Sequence, residues 1–350
     1  MVKRLVEALR IYSPPGKEEQ IANYLYKLMS NMTFHEVYID DVGNVHAIHG
    51  KGPTLLLAGH MDTVPGYIPV RVSGDIIYGR GAVDAKGPLL AMIFGVDKAI
   101  NSEVNIPFKI HIAALVDEEG ESKGAKYLIE NNVKFDYAII CEPTNTIGVV
   151  VECRGSAHYK LECKGLGGHA SSPQVGDSAL EKILTVLLRI RELTNGNKGV
   201  TITPTAIESK SDAINKLPEY AYAILDVRYS TGISFNELSE ILDRIARELG
   251  CNVQLLSEPT PPLKVKVTNP VVRAIVRGIL RLGKKPLLMK KTGTNDANLL
   301  QIICKNIVVY GPGDSKLAHS NTEAISIKDF ITGIDVYYYS ILELSKITNI

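Results

Sequence analysis

Short apolar runs, each closed by turn residues or charge, divide much of this chain. TLLLAG (54–59), FKIHIAALVD (108–117), DYAIIC (136–141) and NIVVYG (306–311) are almost continuously apolar. Runs of that length without alternation predict strands covered on both faces, as in an α/β sheet. GPLLAMIFGVDKAI (87–100) and SKGAKYLIEN (122–131) predict helices between them. Residues 3–29 predict a helix broken by Pro-Pro-Gly at 14–16.

The middle of the chain changes its period. AHYKLECK (157–164), TITPTAIES (201–209), YAYAILDVRYS (220–230) and CNVQLLS (251–257) predict strands. DSALEKILTVLLRIREL (177–193) predicts an amphipathic helix with Asp177 and Ser178 near its start. FNELSEILDRIARELG (235–250) predicts a second helix ending at Gly250. The order β-α-β-β-α-β is that of the split ferredoxin-like unit. It predicts an α+β domain over 154–261, inserted into an α/β domain made of 1–153 and 262–350. EPTPPLKV (258–265), with three prolines, reads as the stiff return between them.

Composition narrows the partners. The 350 residues are 45% hydrophobic and 22% charged, with a net charge of +1. Nothing there favours nucleic acid or a membrane surface as the main partner. No run of about 18 apolar residues suggests a membrane span, and the first residues lack the apolar centre of a signal peptide. Five cysteines without a C-x-x-C pair read as reduced thiols in a cytoplasmic protein.

The candidate chemistry sits where the apolar runs end. His60-Met61-Asp62 follows TLLLAG; a neutral imidazole is a common zinc ligand, and a carboxylate two residues on can orient it. Asp84 lies in GRGAVDAKG (79–87), where a carboxylate could bridge two cations. Asp117-Glu118-Glu119 follows FKIHIAALV; adjacent acids repel unless a cation compensates, and one can ligate while another stays free as a general base. Glu142 stands in CEPT (141–144), and His319 in GPGDSKLAHS (311–320). Each alone is equally a surface turn or a helix-capping acid. Jointly they supply two imidazoles, three carboxylates and a spare carboxylate at strand ends, where open α/β sheets place their ligands.

At these residues the chain resembles the metallopeptidases that include carboxypeptidase G, succinyl-diaminopimelate desuccinylase, acetylornithine deacetylase and aminoacylase. GHMDTVP, GRGAVDAKG, DEE, CEP, GGHASSP and AHSNTE carry the resemblance, which spans nearly the whole chain. It implies a zinc-peptidase-like αβα catalytic domain with an inserted ferredoxin-like lid, dimerising through that lid. It implies two divalent metal ions, zinc before cobalt. His60 and Glu142 would hold one metal, Glu119 and His319 the other, and Asp84 would bridge them. Asp62 would orient His60, and Glu118 would be the general base. His169, in GGHASSP, would reach the partner subunit's active site and stabilise an oxyanion. Asn215 would lie near the substrate, and Arg228 would hold its carboxylate. The peptide after Asp84 would be cis.

A closer likeness narrows the substrate. GHMDTVPGYI, IYGRGAVDAKGPL, VVVECRGS, PTPPLKV, TGTNDANLLQ and YGPGDSKLAHSNTE resemble the branch of this family that releases lysine, or ornithine, from the small acidic carrier protein LysW. The basic stretch RLGKKPLLMKK (281–291) is then either a steering surface for that carrier or a solvated face. An acetylornithine deacetylase or a di/tripeptidase remains the nearest rival, and a non-catalytic metal-binding protein on the same scaffold the rival of another class.

Overall fold

The computed structural model describes residues 1–195 and 199–348. It divides into two compact units. One comprises Met1–Glu152, Lys264–Lys290 and Asn295–Ile350; the other comprises Cys153–Leu263 and Lys291–Thr294.

Nine strands among the described residues form the main sheet of the first unit. At its centre Lys109–Leu115, Thr54–His60, Tyr137–Cys141 and Ile307–Tyr310 lie side by side and parallel. Val45–His49 pairs antiparallel on one flank and Gly148–Cys153 on the other. The four parallel strands are the four apolar runs, and Leu55, Leu57, Ile112 and Val308 have no exposed surface. Their carboxyl ends therefore emerge together at one edge of the sheet.

Helices cover the faces. Lys86–Ile100 is apolar on all sides and packs between the sheet and Ile327–Thr348. Gly95 permits that approach, since a Cβ there would stand 2.6 Å from the Tyr337 Cβ. Pro270–Arg281 begins on Asn269, whose side chain accepts from the Val271 N–H at 3.1 Å, with proline in the first turn.

The N-terminal segment forms two helices, Val2–Leu9 and Glu19–Ser30. The first stops well short of Pro14. At its end the buried Lys86 ammonium donates to the carbonyls of Ala8 (3.4 Å) and Ile11 (2.5 Å). Burial lowers the Lys86 pKa to about 7.

A buried chain of Asp40, His46 and His111 links two neighbouring strands. His46 Nε2 is 3.0 Å from Asp40 Oδ2, and His46 Nδ1 is 2.9 Å from His111 Nε2. Burial, with the charges of His46 and Lys109, lowers the His111 pKa from 6.5 to about 3. The folded state thus resists a proton that the unfolded chain accepts below 6.5. Stability is full above that pH and is lost as pH falls toward 3, by up to about 1.4 kcal/mol per unit. Urea midpoints of the metal-free protein should fall across this window, and His111→Gln should flatten that part of the slope. An unchanged slope would remove His111 as its source.

The second unit is a four-stranded antiparallel sheet ordered Val200–Ser209, Tyr220–Tyr229, Gly155–Lys164, Cys251–Leu255. Helices Ala179–Thr194 and Phe235–Glu248 pack on it, burying Leu161, Ile183, Val186, Leu225 and Leu242. This is the split ferredoxin-like arrangement. Ser178 and Ser234 cap the two helices through backbone N–H groups of Glu181 and Glu237. Gly250, at φ 67°, closes the second.

The cysteine expectation is corrected here. Cys163 and Cys251 form a disulfide, while Cys141, Cys153 and Cys304 are buried thiols. The two are direct cross-strand partners with Cα atoms 4.3 Å apart. Their 88-residue separation hides that pairing from the sequence. Among the described residues no helix is long and apolar enough to cross a membrane.

Candidate active site

His60 is the last residue of its strand and fully enclosed. Gly59 before it has no room for a side chain: a Cβ would fall 1.8 Å from the Cys141 Sγ on the adjacent strand. His60 Nδ1 faces the Asp62 carbonyl at 3.1 Å and Asp62 Oδ1 at 3.4 Å. Its Nε2 faces Asp84 Oδ1 at 3.3 Å and Glu142 Oε1 at 3.6 Å. The buried Asp62 carboxylate also accepts the N–H groups of Glu118 (3.1 Å) and Glu119 (3.0 Å), so it fixes two loops at once.

Asp117 stands at φ 63°, a left-handed turn that short polar residues tolerate. It swings the chain sharply, and Glu118 and Glu119 join the cluster. His319, also left-handed at φ 60°, comes from the loop after Ile307–Tyr310. Its Nε2 is 2.8 Å from Glu119 Oε1 and 3.1 Å from Asp84 Oδ2. Asp84 therefore offers one oxygen to each imidazole. The Asp84–Ala85 peptide is cis.

The electrostatics show a surplus of buried carboxylates. Burial raises the Glu118 pKa well above 4.5; His60 opposes this, while Glu142, Asp296 and Glu119 add to it. Burial also opposes charge on His60, yet hydrogen bonds to Asp62 and Asp84 raise its pKa well above 6.5. Hydrogen bonds to Asp84 and Glu119 push His319 up to about 10. Protons here compensate negative charge that a cation could compensate instead. His60, Glu118 and Glu142 offer one set of donor atoms within 4.8 Å of one another, and His60, Asp84 and Glu119 another. Imidazole and carboxylate are the donors zinc and its neighbours accept, so the residues fit divalent metal ions. Binding them must expel protons, so affinity rises with pH.

The remaining predicted residues belong to the second unit. His169 and Asn215 are exposed and adjacent, with Asn215 Nδ2 3.3 Å from His169 Nε2; His169 Nδ1 accepts the Ser171 N–H at 3.2 Å. Arg228 makes a two-pronged contact with Asp226 at 2.7 and 2.8 Å and reaches Thr294 Oγ1 at 3.0 Å. Within 281–291, Arg281 is engaged by Glu343 and Lys290 by Glu152, which diminishes the charge free to steer a partner.

Two buried acids of the first unit carried no sequence expectation. Asp296 is 2% exposed with no partner for Oδ1, and burial raises its pKa to about 7 against the opposing charge of His60. Glu323 is wholly buried. Both sit inside quoted motifs, TGTNDANLLQ and AHSNTE, but no local pattern tells a buried carboxylate from a solvated one.

A parallel-centred sheet bearing imidazoles and carboxylates at its strand ends, with an inserted ferredoxin-like unit, defines a metal-dependent hydrolase of the metallopeptidase kind. The chain belongs to peptidase family M20/M25/M40, whose model matches residues 56–343. Membership implies divalent metal ions. The chain is 40% identical to a [LysW]-lysine/[LysW]-ornithine hydrolase of Sulfurisphaera tokodaii and 37% identical to one of Saccharolobus solfataricus, each over 97% of this chain and 94% of the relative. Its fold is similar to that of a tripeptidase from Staphylococcus aureus (TM-score 0.86, 20% identity, 99% and 98% of the two chains). It is also similar to that of a metallo-carboxypeptidase from Sulfolobus solfataricus (TM-score 0.79, 20% identity, 99% of each chain).

Proposed function

We propose that this protein hydrolyses the amide bond joining lysine, or ornithine, to the side-chain carboxyl of the terminal Glu of the carrier protein LysW. The observation that carries the reading is a cluster of imidazoles and carboxylates at the strand ends, in a chain similar along 97% of its length to hydrolases of that name. The step would close lysine biosynthesis through α-aminoadipate and its arginine branch, in the cytoplasm.

In this reading His60 and Glu142 would hold one metal, Glu119 and His319 the other, and Asp84 would serve both; zinc is our first assignment and cobalt the second. The ions would supply Lewis acidity and make a water easier to deprotonate. Glu118 then takes the water's proton as the oxygen attacks the carbonyl carbon, and passes it to the departing α-amine. Asp62 holds His60 in one orientation and ties down the backbone that presents Glu118. His169 donates to the developing oxyanion. Asn215 lies beside His169, and Arg228, its planar fork held by Asp226, receives the substrate carboxylate.

We further propose a homodimer through the inserted unit. Its edge strand Val200–Ser209 is paired on one side, and the helix Ala179–Thr194 exposes Leu184, Leu188 and Leu193.

The test is mass spectrometry of zinc- or cobalt-loaded protein incubated with LysW carrying lysine, beside N-acetylornithine. Loss of one lysine from the carrier with little acetate release is the expected outcome. An untouched carrier with rapid deacetylation would move the protein to the deacetylases of the same family.

A further inference from the structure

We infer that the buried Arg80–Glu323 ion pair is a positioning device that sets the spacing of the two metal positions; the inference rests on the metal ligand set proposed above. Between them the two residues hold the backbone on both sides of that set.

Glu323 Oε1 accepts the N–H groups of Val83 and Asp84, each at 3.0 Å. Its Oε2 accepts from Arg80 Nη1 at 2.8 Å, and its carbonyl accepts the Gly79 N–H at 3.2 Å. Arg80, itself 4% exposed, donates from Nη1 to the Ser320 carbonyl at 3.0 Å and from Nε to Gly66 at 2.9 Å. Ser320 directly follows His319. The pair thus grips the Asp84 peptide with one hand and the His319 loop with the other. A small sheet completes the frame, with Ala324–Ser326 paired to Ile76–Tyr78.

The consequence lies in where Asp84 points. Its two oxygens stand 3.3 Å from His60 and 3.1 Å from His319. A shift of the Asp84 peptide relative to the His319 loop would keep one contact and lose the other. His60 is anchored in the sheet, whereas His319 stands in a loop with its side chain 54% exposed. The Arg80 bond to Ser320 anchors that loop directly beside His319. A glutamine at 323 could still accept from Val83 and Asp84, but its amide N–H₂ would face the guanidinium and leave that cation buried and unpaired.

Zinc and cobalt titrations of Glu323→Gln and Arg80→Lys, with stoichiometry by mass spectrometry and the visible spectrum of the cobalt form, test this. Glu343→Gln, which breaks a partly buried ion-pair cluster elsewhere in the unit, controls for general destabilisation. We expect wild type to bind two ions. Glu323→Gln should bind one of them roughly 10–100-fold more weakly, the scale seen when an outer hydrogen-bond partner of a ligand is lost, with an altered cobalt spectrum. Arg80→Lys keeps the charge but not the fork and should show the same defect to a smaller degree; it also serves if the first variant does not fold. Glu343→Gln should lower Tm without changing metal affinity. Two ions bound with wild-type affinity and an unchanged spectrum in both site variants would overturn the inference. A wild-type protein that binds fewer than two ions would instead defeat the ligand set on which it rests.

Discussion

Glu118→Gln should lower kcat on carrier-bound lysine by at least 10²–10⁴-fold, the usual worth of a positioned general base, or about 3–5 kcal/mol of barrier. The replacement keeps size and removes the site that receives the proton. Glu118 suits the role because burial, the main cause, holds its proton affinity high; the charge of His60 opposes this, and Glu142, Asp296 and Glu119 add to it. A carboxylate at its ordinary pKa would be a weak acceptor at neutral pH. The backbone around Glu118 does not depend on its side chain, because Asp62 fixes the Glu118 and Glu119 N–H groups. Metal content by mass spectrometry and Tm should therefore stay near wild type while turnover collapses. A Glu118→Gln enzyme within tenfold of wild-type kcat would remove Glu118 as the base and return it to the pool of candidate ligands, where its donor atoms also fit.

The second large effect is expected on metal content rather than chemistry. His319→Ala removes the imidazole that stands 2.8 Å from Glu119 and 3.1 Å from the second oxygen of Asp84. One ion per chain should remain, held by His60, Glu142 and the first oxygen of Asp84. The other should weaken by more than the roughly 10–100-fold typical of losing an outer partner, since a direct donor is gone. Asp84→Asn should be worse. It deletes negative charge between two imidazoles and leaves an amide nitrogen facing one of them, so both positions should empty. Metal analysis after dialysis against a weak chelator separates the cases: one ion for His319→Ala and none for Asp84→Asn. Two ions retained in Asp84→Asn would exclude a bridging role for that carboxylate.

Much of the site is legible before any coordinates because of how α/β sheets are built. A parallel strand buried on both faces is a run of apolar residues, and its end is marked where the run stops. His60, Asp117 to Glu119 and Glu142 sit at those stops, and His319 lies in the loop beyond one. Two periodic segments, one with Asp177 and Ser178 near its start and one ending at Gly250, likewise announce the helices of the inserted unit.

What the chain pattern leaves open is which distant residues meet. Glu323 and Arg80 are separated by 243 positions, and each alone looks like an ordinary charged residue of a loop. Cys163 and Cys251 become neighbours only once the ferredoxin-like order places the last strand beside the first. Where the first helix ends, Lys86, far along the chain, donates to the carbonyls of Ala8 and Ile11.

The sequence by itself determined the donor chemistry, the strand ends that display it and the inserted second fold. Those depend on side-chain type and on burial period, both local properties. Tertiary structure alone decided which acids are buried together, which imidazole faces which oxygen of Asp84, and which cysteines pair. Those depend on distances between segments that the order of residues does not encode one by one, but that packing of the whole chain fixes at once.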